Sequence, residues 1–467
     1  MFVVGSLLGG CTVRVTPAGV RFAFVGDDLV VDVPAGSVDR EVALTAIGIP
    51  EPAGTNTVPN TAFAVVPVDG WAEPVSVTLA YAPADLLRGV DEAELVMMRK
   101  VGSVWAPLSG SRVDPVAHTV SAALSTLGSL AIGWVGCDRR SPSTCTIREA
   151  AAAVGLRVGT IIEPAQLTDD AYTTVVNREF TALTPENALK MYSIENQRGV
   201  WTFAGADAVV DYAVAHGLAV RGHTLVWAQD HFTPAWVAGI TDAAELKAVT
   251  AEYIDTVVRR YVGRVARWDV VNEPLSAYGT GPSGSVWDDL LGSTWIAEAF
   301  RTAHAADPSA ELWLNEYGTD WVPGKHAALL ALVTALVRDG VPIHGVGIQT
   351  HRPSTAGPDP VVFSRQLADF TGLGLKVAIT ELDVPTAPAD ASAAMAQAGA
   401  YGRVAAACLA VPDCVEITTW GLGDDDTWLD SLGVFPTPTR PLLFDESRAP
   451  KAAYRTVVTV LCGGRPS

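Results

Sequence analysis

Basic residues are scarce in this chain. Across 467 residues, 32 Lys and Arg face 51 Asp and Glu, giving a formal net charge of −19 and a pI of about 4.8. Nucleic acid is bound largely by cationic side chains that displace counterions from its phosphates, so this balance excludes it as a partner. No apolar run of about 20 residues occurs, and no segment reads as a membrane-spanning helix. C-x-x-C pairs and an H-E-x-x-H run are also lacking, which removes the usual zinc sites. The sequence implies no metal and no cofactor. What is present is 49% hydrophobic and 18% charged residues, the proportions of a folded protein, with 13 Trp.

Cysteine is limited to six residues. Cys408 and Cys414 flank a turn and are spaced for a local disulfide. Cys462 can meet Cys137 or Cys145 if the chain ends adjoin. Such pairings fit an oxidising compartment. Met1 to Cys11 reads as the tail of a secretory signal, and Leu8-Gly9-Gly10-Cys11 resembles a bacterial lipobox. A basic segment before the apolar stretch is missing. Residues 1–15 are therefore expected to be a truncated leader-like segment, with Cys11 as a lipidation site and lipid anchor. An extracellular or cell-surface location follows from that expectation.

Two rhythms follow. Over 16–135, short alternating or β-branched runs such as Leu29–Val33, Val42–Ile47, Val75–Tyr81 and Thr119–Leu124 are separated by Pro, Gly and Asp punctuation. This pattern predicts an antiparallel β-sandwich. Val33-Pro34-Ala35-Gly36-Ser37, with Pro67 and Trp105, resembles ZU5-like sandwiches, and a carbohydrate-binding module is the alternative. Trp71 and Trp105 are read as core or turn aromatics before sugar-stacking ones. Residues 136–146 form a linker. From 147 to 463 the rhythm becomes strand, loop, helix, with strands ending near Ile162, Leu183, Val226, Val271, Leu314, Ile348, Ile379 and Thr419. Eight such units predict an α/β fold, a (β/α)8 TIM barrel.

Active sites of such barrels sit at the C-terminal strand ends. Polar residues gather there in seven successive units: Glu186, Asn187 and Lys190; His223 and Trp227; Asn272 and Glu273; Asn315, Glu316 and Tyr317; Gln349 and His351; Glu381 and Asp383; then Trp420. Lys190 is one of only six lysines. Glu273 and Glu381 each close an otherwise apolar strand. A pair of carboxyl groups about 5–5.5 Å apart is what a retaining glycosidase uses, one as acid/base and one as nucleophile. A single glutamate there is better read as a helix cap; two, with Asn272 and His351 beside them, are not.

The E-N-x-x-K, G-H-T-L-V-W, W-D-V-V-N-E-P, Q-x-H and I-T-E-L-D runs, with Pro441–Asp445 and Pro450–Tyr454, resemble glycoside hydrolase family 10, the endo-1,4-β-xylanases, over Ile147 to Cys462. The resemblance implies that Glu273 is the acid/base and Glu381 the nucleophile. Asn272 would bond the sugar 2-hydroxyl. His351, with Gln349, would orient the nucleophile, supported by Asp383. Glu186, Asn187 and Lys190 would hold the glycone, the sugar on the non-reducing side of the cleaved bond. His223 and Trp227 would line the sugar at the cleavage point, and Trp420 and Trp428 would wall it, with Asn315 and Tyr317 in support. The Cys408/Cys414 pair also occurs in many members. Two departures fall on the glycone side: Met191 where the family has Trp, and a longer run from Ala228 to His231 in which Gln229 or His231 can replace the usual Gln. The expected activity is that of a secreted, monomeric retaining endo-1,4-β-xylanase acting on xylan. A β-glucanase or other glycanase of the same clan is the alternative. A non-catalytic glycan-binding surface protein would have lost Glu273 or Glu381.

Overall fold

The computed structural model describes residues 11–24, 28–49, 57–58, 61–68, 70–86, 92, 95–101, 104–108, 110–134, 145–277, 281–386, 390–435 and 437–463. Two compact units divide the chain, Met1–Thr144 and Cys145–Ser467.

The first unit is all-β. Its strands are β1 (Cys11–Val15), β2 (Val20–Phe24), β3 (Leu29–Val33), β4 (Val42–Gly48), β5 (Phe63–Val66), β6 (Val75–Ala80), β7 (Leu95–Val101), β8 (Val104–Pro107), β9 (Arg112–Asp114), β10 (Thr119–Leu124) and β11 (Gly128–Trp134). One sheet has the order β1-β4-β5-β11-β7-β8 and the other β2-β3-β6-β10-β9. Alternation drives the burial. In β3, Leu29, Val31 and Val33 point inward while Val30 and Asp32 are half-exposed. They join Phe22, Phe24, Val75, Val77, Leu79, Leu130 and Ile132 in one core drawn from both sheets. Trp71 packs against that core, and Trp105 is buried in a smaller cluster with Ala62, Met98 and Ala131. Cys11, the first described residue, pairs with Ala46, so β1 lies inside the segment that the sequence reading gave to a leader. Residues 12–15 alternate outward and inward, which suits an edge strand. Leu8-Gly9-Gly10, most of the linker and Cys137 lie outside the described residues.

The second unit is a closed parallel barrel of β12 (Arg157–Ile162), β13 (Ala182–Pro185), β14 (Ala219–Trp227), β15 (Arg267–Asn272), β16 (Glu311–Glu316), β17 (Gly345–Ile348), β18 (Lys376–Leu382) and β19 (Cys414–Thr419). All six residues of β15 and all four of β17 are buried, because helices cover one face and the barrel interior the other. Two indoles press on glycines of neighbouring strands, Trp313 inside the barrel beneath Arg221 and Arg267, and Trp268 on the outer face beside Tyr261. A Cβ on Gly222 would lie 2.2 Å from Trp268, and one on Gly345 would lie 2.6 Å from Trp313. The helix Ala243–Arg260 shows how the outer ring is made. Asp242 accepts the Glu245 N–H as its N-cap, and Leu246, Val249, Tyr253, Ile254, Val257 and Val258 form the buried stripe.

Cys408 and Cys414 form a disulfide with Cα atoms 5.3 Å apart, joining the end of helix Ala391–Leu409 to the start of β19. Cys145 and Cys462 are both buried. The Asp424-Asp425-Asp426 run is occupied by cations of the chain itself. Asp424 pairs with Lys451 at 2.8 Å, and Arg448 pairs with Asp425 and Asp426.

Candidate active site

The site is built at the C-terminal mouth of the barrel. Glu273 follows the last residue of β15. It adopts a left-handed backbone with φ 56°, and its N–H is bonded to the Asn315 carbonyl at 2.9 Å. This conformation is uncommon for a residue with a Cβ. Here it turns the side chain out of the strand direction at the point where the chain leaves the barrel. Glu381 stays within β18 and is almost fully buried.

A chain of amides joins the two carboxylates. Gln349 Nε2 donates to Glu273 Oε1 at 3.0 Å and to Asn272 Oδ1 at 3.2 Å. Asn272 Nδ2 also donates to Glu273 Oε1, at 3.3 Å. Asn315 Nδ2 donates to Asn272 Oδ1 at 2.9 Å and to Glu381 Oε1 at 2.6 Å. The remaining Asn315 oxygen accepts from Thr380 Oγ1 at 2.7 Å. A Cβ at Gly347 would sit 2.2 Å from that oxygen, so glycine is required on β17 for the amide to fit.

Behind Glu381 lies a charge relay of position. His351 bonds Glu381 Oε2 through Nε2 at 3.0 Å and Asp383 Oδ2 through Nδ1 at 2.8 Å. Trp428 Nε1 donates to the same Asp383 oxygen at 2.8 Å. Burial opposes a charge on His351, but Asp383 and Glu381 outweigh it and push its pKa up to about 10. Burial likewise opposes ionisation of Glu381. The His351 hydrogen bond and the charges of His223, His351 and Lys190 prevail, and hold its carboxyl below the usual range. Glu381 is therefore an ionised carboxylate at neutral pH.

On the side of β13 and β14, Asn187 is the centre. It donates to Glu163 at 2.6 Å and accepts from Tyr192 at 2.6 Å and Lys190 at 3.2 Å. Burial, and the neighbouring Glu163 charge, push Glu186 up to about 7. Burial lowers the Lys190 ammonium, which stands 4.6 Å from the centre of Trp227 and 5.7 Å from that of Trp420. His223 is oriented by Asp269 at 3.0 Å and meets the Trp420 ring edge-on, with centroids 5.2 Å apart. Trp420 also takes the His351 ring edge-on at 6.1 Å, and Trp428 lies 4.9 Å from His351. Met191 is buried at the start of the short helix Met191–Ile194.

The structure thus gathers the residues singled out from sequence, with two adjustments. Trp227 is not an open wall, because Phe232 stacks on it at 3.8 Å. Tyr317 carries the Lys325 ammonium 3.5 Å from its ring centre. Several participants escaped the sequence reading. Glu163 follows β12 directly, and the same strand-end rule would have found it. Arg221, Asp269, Arg267 and Glu416 form a buried ionic layer inside the barrel, with Arg221 to Asp269 at 2.5 Å and Arg267 to Glu416 at 2.6 Å. Lys325 also escaped it; it forms a fully buried pair at 2.9 Å with Glu316, one of the strand-end residues already singled out.

A (β/α)8 barrel that presents two glutamates at its mouth, linked by amides and lined with indoles, defines a glycoside hydrolase. The chain belongs to glycosyl hydrolase family 10, whose model matches residues 146–460. It is 38% identical over 307 residues to an endo-1,4-beta-xylanase 3 of Hypocrea jecorina, covering 66% of this chain and 82% of that one. It is 40% identical over 300 residues to an endo-1,4-beta-xylanase 2 of Aureobasidium pullulans, covering 62% and 82%. Among solved structures, native xylanase 10B of Thermotoga maritima superposes with a TM-score of 0.64 at 34% identity, covering 68% of this chain and 98% of that one. Xylanase 10B of Thermotoga petrophila in complex with xylobiose gives 0.64 at 33%, covering 68% and 97%.

Proposed function

We propose that this protein is a retaining endo-1,4-β-xylanase that cleaves internal bonds of xylan. The observation that carries the reading is the arrangement around the two glutamates. Glu381 is held ionised by a charged His351, as a nucleophile must be, while Glu273 faces it across hydrogen-bonded amides. In the first step a Glu381 oxygen attacks the anomeric carbon, and Glu273 delivers its proton to the departing glycosidic oxygen. In the second, Glu273 takes a proton from water, which displaces Glu381 and releases the sugar with its original anomeric configuration. Asn272 would donate to the 2-hydroxyl, a bond that tightens as charge develops on the ring. Glu186, Asn187 and Lys190 would hold the glycone, and Trp420 and Trp428 would pack on sugar C–H faces.

An oxidising, extracytoplasmic setting is supported by the Cys408–Cys414 disulfide, and the lipobox-like run ending at Cys11 supports an acyl anchor there. The test of function is the purified protein on xylan and on carboxymethylcellulose, with reducing ends counted. Glu381→Ala is expected to lower xylan hydrolysis by at least about a thousandfold, consistent with loss of a covalent nucleophile. Preference for carboxymethylcellulose would assign a glucanase instead. Proton NMR of early products showing net inversion would reject Glu381 as nucleophile.

A further inference from the structure

The longer run after β14 builds something. Asp230–Phe232 form a single 3-10 turn. Phe232 N bonds Gln229 O at 3.0 Å, and Thr233 Oγ1 bonds the same carbonyl at 3.1 Å. At its base, Ala228 N bonds Asn272 O at 3.0 Å. On its flank, Asp230 Oδ1 accepts the Val286 N–H at 2.9 Å. The turn is therefore tied to both the end of β15 and the excursion that follows it. Its outcome is the position of one ring. Phe232 lies parallel to Trp227, with centroids 3.8 Å apart and planes 13° apart.

A phenyl ring stacked at that distance fills one face of the indole. The Lys190 ammonium, 4.6 Å from the indole centre, then lies across the other face. With both faces covered, Trp227 cannot carry a sugar ring on its plane. The next aromatic outward is Phe232, which is 37% exposed, with the exposed His231 ring tilted beside it at 4.0 Å. A large aromatic held this firmly yet open to solvent contributes little to the core. Its surroundings suit a pyranose, whose C–H face packs on an aromatic ring while its hydroxyls stay in water.

We propose that Phe232, flanked by His231, is a stacking platform for a β-1,4-linked sugar beyond the unit held by Glu186, Asn187 and Lys190, so that this enzyme favours longer glycone chains. The proposal rests on the xylanase reading. It takes the β13 side of the mouth as the glycone end, because Lys190 is shared by that grip and by Trp227.

The test compares kcat/KM on xylotriose and xylohexaose for the wild type, Phe232→Ala and Phe232→Tyr. An aromatic contact of this kind is worth about one order of magnitude. Phe232→Ala is expected to lower the xylohexaose value about tenfold more than the xylotriose value, through KM. Phe232→Tyr, which keeps the ring, should hold the ratio of the two within about twofold of wild type. An equal loss on both substrates would mean that Phe232 acts only by steadying Trp227, and would overturn the platform. An unchanged ratio in Phe232→Ala would overturn it as well. A wild-type protein inactive on both oligosaccharides and on xylan would overturn the xylanase reading first, and the platform with it.

Discussion

Asp383→Asn is the sharpest probe of how Glu381, the proposed nucleophile, is kept ionised. Asp383 is fully buried, and its Oδ2 receives both His351 Nδ1 and Trp428 Nε1 at 2.8 Å. His351 gives its other N–H to Glu381, so both ring nitrogens donate and the ring is an imidazolium. Its pKa is raised from 6.5 to about 10. At 1.36 kcal/mol per tenfold change in proton affinity, that is roughly 5 kcal/mol in favour of the charged ring. Asp383 is the larger of the two carboxylate contributions, and neutralising it removes roughly 2–3 kcal/mol. The His351 midpoint should fall by about two pH units, to near 8. Nitrogen NMR of His351 reads this directly. Activity should follow. At pH 5 His351 is charged in both proteins and the variant's loss is smallest. At pH 9 the variant's ring is neutral, Glu381 loses its charged partner, and kcat should fall by a further factor of about ten or more. Stability carries the same signature. A raised histidine pKa contributes fully below about 6.5 and fades as pH rises through about 10. Urea unfolding should therefore show the largest deficit of the variant at pH 6 and a smaller one at pH 10. A wild-type His351 titrating near 6.5, or a kcat ratio between the two proteins that is flat from pH 5 to 9, would refute the reasoning.

Two further perturbations separate the remaining buried charges. Lys325→Met leaves Glu316 buried without its cation, which costs about 3–5 kcal/mol, seen as a lowered melting temperature. Because the Glu316 pKa is already raised to about 8, the deficit should deepen as pH rises through about 8, where Glu316 ionises beside Lys325 in the wild type but stays protonated in the variant, and adding Glu316→Gln should recover part of it. Glu186, raised to about 7, gains its charge between pH 6 and 8. The wild-type KM for xylo-oligosaccharides should fall over that interval as the acceptor forms, while Glu186→Gln should show a flat KM.

Much of the barrel could be read from sequence because its strands are apolar runs cut off sharply by polar groups. The change from Val271 to Asn272 and Glu273, or from Ile379 to Thr380 and Glu381, marks both the strand end and the site. The sandwich was less legible. β11 contains Gly128 and Gly133 and is mostly buried without clean alternation, and β9 has only three residues, too few for a period. The buried ionic layer escaped for a different reason. Arg221, Asp269 and Glu416 sit within strands, where sequence patterning predicts apolar residues, and only their mutual distance shows that they satisfy one another. The occupancy of Trp227 also depends on a side-chain stack that no motif encodes.

The amide chain between the glutamates has a direction, and the direction selects an oxygen. Gln349 and Asn272 both point their N–H groups at Glu273 Oε1, and neither amide can turn over without aiming a carbonyl at a carboxylate. An oxygen that accepts two N–H groups is the poorer place for a proton. In the proposed mechanism the hydrogen destined for the glycosidic oxygen would therefore ride on Oε2, its in-plane position fixed before any sugar arrives. On that mechanism, the face from which a chain would be cut is set by the orientation of three side-chain amides.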